Sequence, residues 1–406
     1  MSMLDFDAAL ARLLAAARPV AGIEEVATME ADGRVLAQPQ YSDLDVPPLD
    51  NTSMDGYAVR CADVPAAGTR LPVSQRIPAG SAGAPLAPGT AARIFTGAPI
   101  PRGADAVVMQ ELCEHGGHGD HGVVINHLPR PGEWIRRAGE DIRRGARILE
   151  AGTRLRPQEL GLAASVGLAR LPVFRRPRVA LFSTGDELVM PGQPLPAGAI
   201  YNSNRYVLQG LLRRAGCAVS DLGIVPDRLD ATRAALREAA GGHDLILTSG
   251  GVSVGEEDHL RPAVQAEGEL DLWKIAIKPG KPLALGRIGR GAQPAAFVGL
   301  PGNPVSSFVT FALLVRPFVL RLQGVAVVSP AALELRADFD WPKPDPRREF
   351  LRAKRNDRGG LDLFPNQSSG VLTSTVWGDG LVDNPPGRAI RAGDAVRFLP
   401  FSDLLN

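Results

Sequence analysis

From residue 178 to residue 322 the chain alternates apolar runs of strand length with segments of helical periodicity. The runs that we predict as strands span 178–184, 217–225, 244–248 and 295–300. The segments that we predict as helices span 204–215, 229–240, 258–267 and 305–322. Such alternation is typical of a doubly wound α/β domain, in which helices cover both faces of a parallel sheet. Because such sheets bind ligands beyond the carboxyl ends of their strands, we expect function in the loops that follow these four strands.

Different patterns flank this α/β region. Short β-like runs separated by Gly and Pro predict an all-β insertion before residue 140, and similar runs after Gly324 predict a small terminal β-barrel or sandwich. Residues 5–17 have the spacing of a short amphipathic helix, and residues 157–166 predict another with Pro at its first position. The 45 Gly and 35 Pro among 406 residues suit many short elements joined by turns.

Charge and composition exclude several classes of protein. The 45 Lys and Arg residues against 44 Asp and Glu leave a net charge of +1, which gives no electrostatic basis for binding nucleic acid or an anionic membrane. Three widely spaced cysteines, Cys61, Cys113 and Cys217, make no disulfide framework and indicate a reducing compartment. The N-terminus is acidic where a signal peptide is basic, and no run of about 18 apolar residues occurs. We therefore expect a cytoplasmic protein without a membrane anchor.

Two carboxylates follow the first predicted strand of the α/β region, at Asp186 and Glu187. Adjacent carboxylates at the end of a strand suit a hard cation such as Mg²⁺, or proton transfer. They equally suit a solvated turn with a capping aspartate. The spacing alone leaves both interpretations open.

The loop after the third predicted strand, residues 249–258, is richer in signals. Gly250 and Gly251 allow backbone N–H groups to converge on a phosphate, and Asp258 is placed to cap the next helix. The same letters around Ser253 match the G-x-S-x-G turn of serine hydrolases. That mechanism requires a histidine well downstream, and none follows His259, so an anion-binding loop is the favoured interpretation.

A proline-rich helix start and a group of lysines are expected at the same sheet edge. Pro301, Asn303 and Pro304 open the long predicted helix and leave its first N–H groups available to a ligand. Lys274 and Lys278 share strand parity and are therefore predicted to point to one face. Gly280 and Lys281 do not form a P-loop, because Pro282 replaces the required Ser or Thr.

A group of soft ligands lies in the predicted all-β insertion, in what resembles a glycine-rich hairpin tip. Its members are Cys113, His115, His118, His121 and His127. Their spacing is compatible with a metal site, whereas an exposed loop without metal is the commoner explanation of such a cluster.

Taken together, the motifs resemble the MoeA family of molybdopterin molybdenumtransferases, whose eukaryotic counterpart is the gephyrin E domain. The matching segments are 50–58, 95–99, 139–142, 183–188, 249–258, 276–282 and 301–306. They span nearly the whole chain, and their joint order is more specific than any one of them.

The resemblance implies an α/β multidomain fold of four parts. These are a helical linker domain (1–45 with 140–176), an inserted β domain (46–139), a central doubly wound α/β molybdopterin-binding domain (177–326) and a C-terminal β-barrel (327–406). It also implies a homodimer whose sites combine both chains. A molybdopterin adenylyltransferase and molybdoenzyme chaperones are the protein partners that it suggests.

The reaction implied by the resemblance is the Mg²⁺-dependent insertion of molybdate into adenylylated molybdopterin, with release of AMP. The implied catalytic residues are Asp55, Thr96, Asp141, Glu187 and Asp227. The implied substrate-binding residues are Gly250, Gly251, Ser253, Lys274, Lys278, Pro301, Asn303, Pro304, Arg347 and Ser369. The implied Mg²⁺ ligands are Asp186, Asp227 and Asp258. Arg347 and its neighbour Arg348 both fit the position of the anion-binding arginine.

Two other functions are compatible with the same resemblance. One is a non-catalytic dimeric scaffold of the gephyrin type, against which the intact acidic and lysine positions argue. The other is an adenylyltransferase that makes the adenylylated intermediate from ATP, against which the additional β domains argue.

Overall fold

A computed structural model of the chain describes residues 3–20, 22–115, 121–251, 259–289 and 294–405. Six strands in this described part form the central sheet. In spatial order they are Ala218–Val225, Arg178–Thr184, Leu245–Ser249, Ala295–Leu300, Pro282–Ile288 and Gly268–Lys274. The first four are parallel and the last two antiparallel. The predicted parallel sheet is confirmed, and two antiparallel strands that the sequence analysis missed extend one edge.

Helices cover both faces of this sheet, because alternate strand residues point to opposite sides. Val179 and Leu181 lie in one hydrophobic cluster, with the helices Ser203–Arg214 and Pro304–Leu322. Ala180 and Phe182 lie in a second cluster. The helices of that second face are Leu229–Ala240 and Leu260–Glu267. The doubly wound arrangement is therefore confirmed.

The long predicted helix runs from Pro304 to Leu322 and contains one wider π turn, Phe311–Val315. Pro317 lacks an N–H group, which explains why the regular hydrogen-bond pattern is interrupted near this point. By length and composition the stretch could cross a membrane, but 94% of its apolar window is buried inside the protein. It is the central core helix of the fold.

A curled sheet forms the predicted β insertion. Its strands, in spatial order, are Ala106–Met109, Gly56–Val59, Ala91–Ile94, Thr69–Ile77, Gly122–Ile125 and Cys113–His115. Tyr57 and Val59 belong to one hydrophobic cluster of this unit and Ala58 to another, so side chains alternate here as well. A short pair, Asn51–Thr52 with Ile135–Arg136, lies beside it.

The linker region joins chain segments from both sides of the insertion. Ile23–Ala27 pairs with Arg170–Phe174, and Gln40–Tyr41 pairs with Arg147–Leu149. The helix Pro157–Ser165 packs in the same cluster through Ala163.

The first helix, Phe6–Ala16, packs elsewhere. Its N-terminal capping residue is Asp5, whose carboxylate accepts from the N–H groups of Asp7 and Ala8. Its apolar residues Phe6, Ala9 and Leu13 lie in the main core of the central sheet, and the Phe6 ring lies 5.3 Å from the ring of Phe350. The helix thus packs with the α/β and C-terminal units rather than within the linker cluster.

The predicted C-terminal β-barrel is confirmed. Five strands between residues 333 and 400, a range described throughout, close on themselves. In order around the barrel they are Leu333–Ala337, Gly360–Leu363, Arg348–Arg355, Gly380–Asn384 and Ala395–Pro400. Two short helices, Thr373–Trp377 and Phe401–Leu404, accompany them. The two-residue strand Ile277–Lys278 from the α/β region pairs with Arg348 and Glu349, which fixes the barrel against the central unit.

The central strand Ala295–Leu300 offers a test of this core. Phe297 is fully buried among the side chains of the second cluster. We expect Phe297→Ala to lower the free energy of unfolding by about 3–5 kcal/mol, because it removes buried apolar surface and leaves a cavity. Met29→Ala is the control, since Met29 is 90% exposed and its loss should change stability by less than about 0.5 kcal/mol. Chemical denaturation measures both, and equal effects would contradict the assigned core.

Candidate active site

A cleft of about 960 Å³ lies at the carboxyl edge of the central sheet, where the α/β region meets the barrel. Loops that follow all four parallel strands line it, through Glu187, Asp227, Gly250 and Asn303 among others. The barrel contributes Arg347 and the segment 367–370. A cavity therefore lies beyond the carboxyl ends of the parallel strands, where the sequence predicts the functional site.

The glycine loop approaches its neighbours closely enough to require glycine. Gly250 and Gly251 have φ values of +89° and +64°, which favour residues without a Cβ atom. A Cβ on Gly250 would lie 2.8 Å from the carbonyl oxygen of Thr184. Both glycines line the cleft, so their backbone faces any ligand there. Ser253 and Asp258, predicted for this loop, lie outside the described residues.

Two asparagines that were not predicted as site residues, the buried Asn202 and the half-buried Asn204, add polar groups to the cleft. Asn202 is 2% exposed; its Oδ1 accepts from the N–H of Arg205, and its Nδ2 has no partner in the described part of the chain. Asn204 donates to the carbonyl of Gly302 at 2.7 Å, while its Oδ1 is likewise unpaired within the described residues. Buried polar atoms without partners are costly, so these two amides suit a polar ligand.

A cationic group forms the barrel side of the cleft. The Arg347 guanidinium contacts Asp345, with Nε to Oδ1 at 2.8 Å and Nη2 to Oδ2 at 2.9 Å. Lys278 Nζ lies 3.5 Å from Asp345 and 3.3 Å from Glu349. The hydrogen bonds from Arg347 hold the pKa of Asp345 well below its usual range. Ser369, the predicted partner of the arginine, lines the same wall.

The structure distinguishes the two candidate arginines. Arg347 lines the cleft, whereas Arg348 points away from it and forms ion pairs with Asp383 and Asp7 at 2.6 and 3.0 Å. The hydrogen bond to Asp383 raises the pKa of Arg348 further. Only Arg347 is therefore placed to meet an anion in the cleft.

Lys274 and Lys278, which were predicted to point to one face, belong to two different strands. The strand Gly268–Lys274 ends at Lys274, and Lys278 belongs to the separate strand that pairs with the barrel. Lys274 is absent from the cleft lining in the described part of the chain, whereas Lys281 lines it. Lys281 precedes the antiparallel strand Pro282–Ile288, which begins at this edge because it runs opposite to its neighbour. Recognition of this antiparallel strand in the sequence would have identified Lys281 as a residue of the cleft edge.

A buried arginine stands behind the segment 367–370. Arg352 is fully buried, and it donates to the carbonyls of Phe350 and Ser368 and to Ser374 Oγ. The Gln367 amide bonds both the N–H and the carbonyl of Arg352. No carboxylate of the described residues pairs with this guanidinium, and burial lowers its pKa to about 10. These bonds fix the part of the cleft wall that carries Ser369.

Carboxylates lie at the other side of the cleft. Glu187 and Asp227 line it, while Asp186 is exposed and outside the lining. Within the described ranges, no three His, Cys, Asp or Glu side chains form a metal-binding group. The predicted third ligand, Asp258, falls in the stretch that is not described. The carboxylate oxygens of Asp227 and Glu187 are nevertheless the donor type that Mg²⁺ prefers.

Three predicted catalytic residues lie away from this cleft. Thr96 donates to Asp55 Oδ1 through its backbone N–H at 2.8 Å and its hydroxyl at 2.7 Å, and these bonds lower the pKa of Asp55. Asp141 is exposed in the linker region, with its N–H bonded to the carbonyl of Val46. None of the three lines the cleft of the same chain. Within one chain the candidate residues therefore form separate groups.

Three family models together match nearly the whole chain. The MoeA N-terminal region (domain I and II) matches residues 4–167, a probable molybdopterin binding domain matches 180–321, and the MoeA C-terminal region (domain IV) matches 334–401. A curated molybdopterin molybdenumtransferase from Haemophilus influenzae is 38% identical over 99% of this chain and 100% of its own length. The chain belongs to the MoeA family. Another such relative, from Nostoc sp., is 40% identical over 91% of this chain and 86% of its own.

Solved structures agree with this membership of the MoeA family. The crystal structure of a molybdopterin biosynthesis MoeA protein from Pyrococcus horikoshii superposes with a TM-score of 0.84. The two are 28% identical, and the match covers 98% of this chain and 100% of that one. The expected resemblance and multidomain fold are confirmed.

The cysteine and histidine group predicted as a possible metal site is only partly described. Cys113 and His115 lie on the strand Cys113–His115, and the hydroxyl of Tyr57 is 2.8 Å from His115 Nδ1. His118 lies outside the described residues. The favoured interpretation of this group, an exposed loop without metal, stays a prediction.

The environments of the three free thiols predict low reactivity. Burial raises the pKa of Cys61 and Cys217 to about 12, and that of Cys113 to about 11. At Cys61 a hydrogen bond to the side chain of Asp105 adds to the effect of burial. A raised pKa leaves the thiol protonated at pH 8, where only the thiolate reacts. We expect all three to react with Ellman's reagent at least about a hundredfold more slowly than in the chain unfolded in guanidinium chloride. Rapid reaction of any one cysteine in the native protein would contradict this.

Proposed function

We propose that this chain inserts molybdate into adenylylated molybdopterin, releasing AMP and forming molybdenum cofactor. The observation that carries the proposal is the composition of the cleft. One cavity of about 960 Å³ combines a glycine loop, a helix start and a cationic wall. Curated relatives that bear the name molybdopterin molybdenumtransferase match 91% to 99% of this chain.

The α/β side of the cleft suits the organic substrate. The backbone of Gly250 and Gly251 can approach a pyrophosphate closely, and the unpaired amides of Asn202 and Asn204 can bond a polar heterocycle. Pro301, Asn303 and Pro304 form a rigid wall at the start of the core helix. Ser253, although outside the described residues, belongs to the same proposed subsite.

The barrel side suits the dianion. Arg347, Lys278 and Lys281 supply charged donors, and the Ser369 hydroxyl supplies a neutral one. Tetrahedral oxyanions are bound well by such a combination, because guanidinium and ammonium groups meet the charge and hydroxyls complete the hydrogen bonding. Lys274, an earlier candidate, stands outside this proposed subsite.

We assign Mg²⁺ to the carboxylate side. Asp227 would hold the ion, with Asp186 and Asp258 as the further ligands that the family resemblance implies. When bound, Mg²⁺ supplies charge neutralisation for cleavage of the phosphoanhydride. Glu187 lines the same cleft and, in this proposal, accepts or donates a proton.

We infer that the working enzyme is a homodimer in which a second chain completes each cleft. Asp55, Thr96 and Asp141 lie outside the cleft of their own chain, so they can act in it only from a partner subunit. Exposed apolar side chains at the cleft rim, Ile200 and Tyr201, and near the insertion, Leu44 and Leu49, are candidates for the interface. The cytoplasm is the compartment that we propose.

Two alternatives are weaker. A scaffold without catalysis does not require the paired cations, carboxylates and unpaired amides of the cleft. An adenylyltransferase does not require the barrel wall that carries Arg347 and Ser369. ATP-dependent adenylylation of molybdopterin by this chain alone would favour the second alternative.

The catalytic assignment predicts a loss of turnover in two variants. Asp227→Asn and Asp186→Asn each replace a carboxylate by an amide of the same shape, which weakens cation binding. We expect molybdate-dependent AMP release to fall at least about a hundredfold in both. Asp357→Asn, in an exposed turn of the barrel, is the control and should be fully active. Normal turnover by both cleft variants would refute the assignment.

The shared site predicts complementation between inactive chains. Asp55→Asn and Asp227→Asn place their defects in different regions, so a mixed dimer has one intact site. Random reassociation makes half of the dimers mixed, and about a quarter of wild-type AMP release should return. A mixture of Asp227→Asn with Asp186→Asn is the control, because both defects lie in the α/β region of the chain and a mixed dimer would have no intact site. Differently tagged chains show whether mixed dimers have formed. Mixed dimers that recover no AMP release would contradict the proposal that two chains share each site.

A further inference from the structure

Two of the three cations of the proposed oxyanion subsite, Arg347 and Lys278, already have anionic partners within the fold. Arg347 forms a two-point contact with Asp345 at 2.8 and 2.9 Å. Lys278 lies within ion-pair distance of both Asp345 and Glu349. Two acidic side chains therefore face two of the basic ones here, and Lys281 is the remaining cation of the subsite.

Asp345 occupies the part of Arg347 that an oxyanion would use. Nε and Nη2 of the guanidinium both donate to Asp345, and Nη1 donates to the carbonyl of Ile277 at 3.4 Å. The Nε and Nη2 edge is the fork that matches carboxylates, phosphates and similar oxyanions. An anion that binds there has to displace the Asp345 carboxylate or share the donors with it.

The two acids of the group have different surroundings. Glu349 is fully buried, and it also accepts from Trp341 Nε1 at 2.8 Å and Asn384 Nδ2 at 3.3 Å, so the barrel core fixes it. Asp345 lies before the strand Arg348–Arg355, and its carboxylate contacts only Arg347 and Lys278 among the described residues. Asp345 is thus the acid whose interactions are confined to the subsite.

We propose that Asp345 is a tethered competitor for the substrate oxyanion, which keeps the affinity of the subsite for tetrahedral dianions low. This inference rests on the proposed function, in which molybdate occupies the subsite at Arg347. Molybdate has to leave its binding site to reach the pterin sulfurs, and tight binding of the free anion would add to that barrier. A resident carboxylate lowers the affinity while it keeps the guanidinium oriented.

The test is direct binding of sodium molybdate and sodium sulfate to the full-length protein by isothermal titration calorimetry. Asp345→Asn keeps the shape and one acceptor oxygen but removes the negative charge. We expect both dianions to bind about tenfold more tightly to this variant, because a repulsive charge close to the anion is lost. Asp345→Glu retains the charge and should bind like the wild type. Asp357→Asn, with the same charge change in an exposed turn, should leave the affinity unchanged.

Kinetics separate this role from a structural one. In the Asp345→Asn enzyme we expect a lower KM for molybdate, without an increase in kcat. If Asp345 served only to position Arg347, the Asp345→Asn variant would bind both anions more weakly than the wild type. Weaker binding would overturn the proposal, and so would an unchanged affinity. A wild-type protein that binds molybdate and releases no AMP would refute the proposed function alone. The dissociation constants of molybdate and sulfate for the wild type and for Asp345→Asn would still decide whether Asp345 competes with the anion.

Discussion

The backbone pairing between the α/β region and the barrel is the contact on which the cleft depends. Ile277–Lys278 pairs with Arg348 and Glu349, and the N–H of Val305 at the start of the core helix donates to the carbonyl of Ser369. Backbone hydrogen bonds fix distance and direction more strictly than side-chain packing does. They hold Arg347 and the segment 367–370 of the barrel against the lysines and the glycine loop of the α/β region, so neither unit alone has the site.

Much of the central unit follows from local pattern. The strand Arg178–Thr184 and the helix Leu229–Ala240 have their predicted bounds, because apolar runs and helical periodicity are strong there. The strands Gly268–Lys274 and Pro282–Ile288 were not predicted, because they lack the continuous apolar runs by which the parallel strands were identified. The parity argument for Lys274 and Lys278 assumed one continuous strand, whereas the strand ends at Lys274 and Lys278 belongs to another.

The site was predictable where it follows strand ends and not where it depends on contacts between units. Gly250 and Asn303 line the cleft as their positions after strands suggested. Arg347 and Arg348 differ in which way each faces at the point where the strand Arg348–Arg355 begins, and a sequence does not contain that. The separation of Asp55 from the cleft follows from where the insertion packs, which depends on long-range contacts.

The buried guanidinium of Arg352 bears on how the cleft responds to its medium. Lys278 has a side chain that is 38% exposed, so dissolved ions screen its attraction for an anion. Arg352 is fully buried directly behind the Ser368 carbonyl, where counter-ions do not reach it. Its contribution to the potential at the cleft wall is therefore nearly independent of ionic strength. The fold thus provides two kinds of positive charge for one anion, one sensitive to salt and one not.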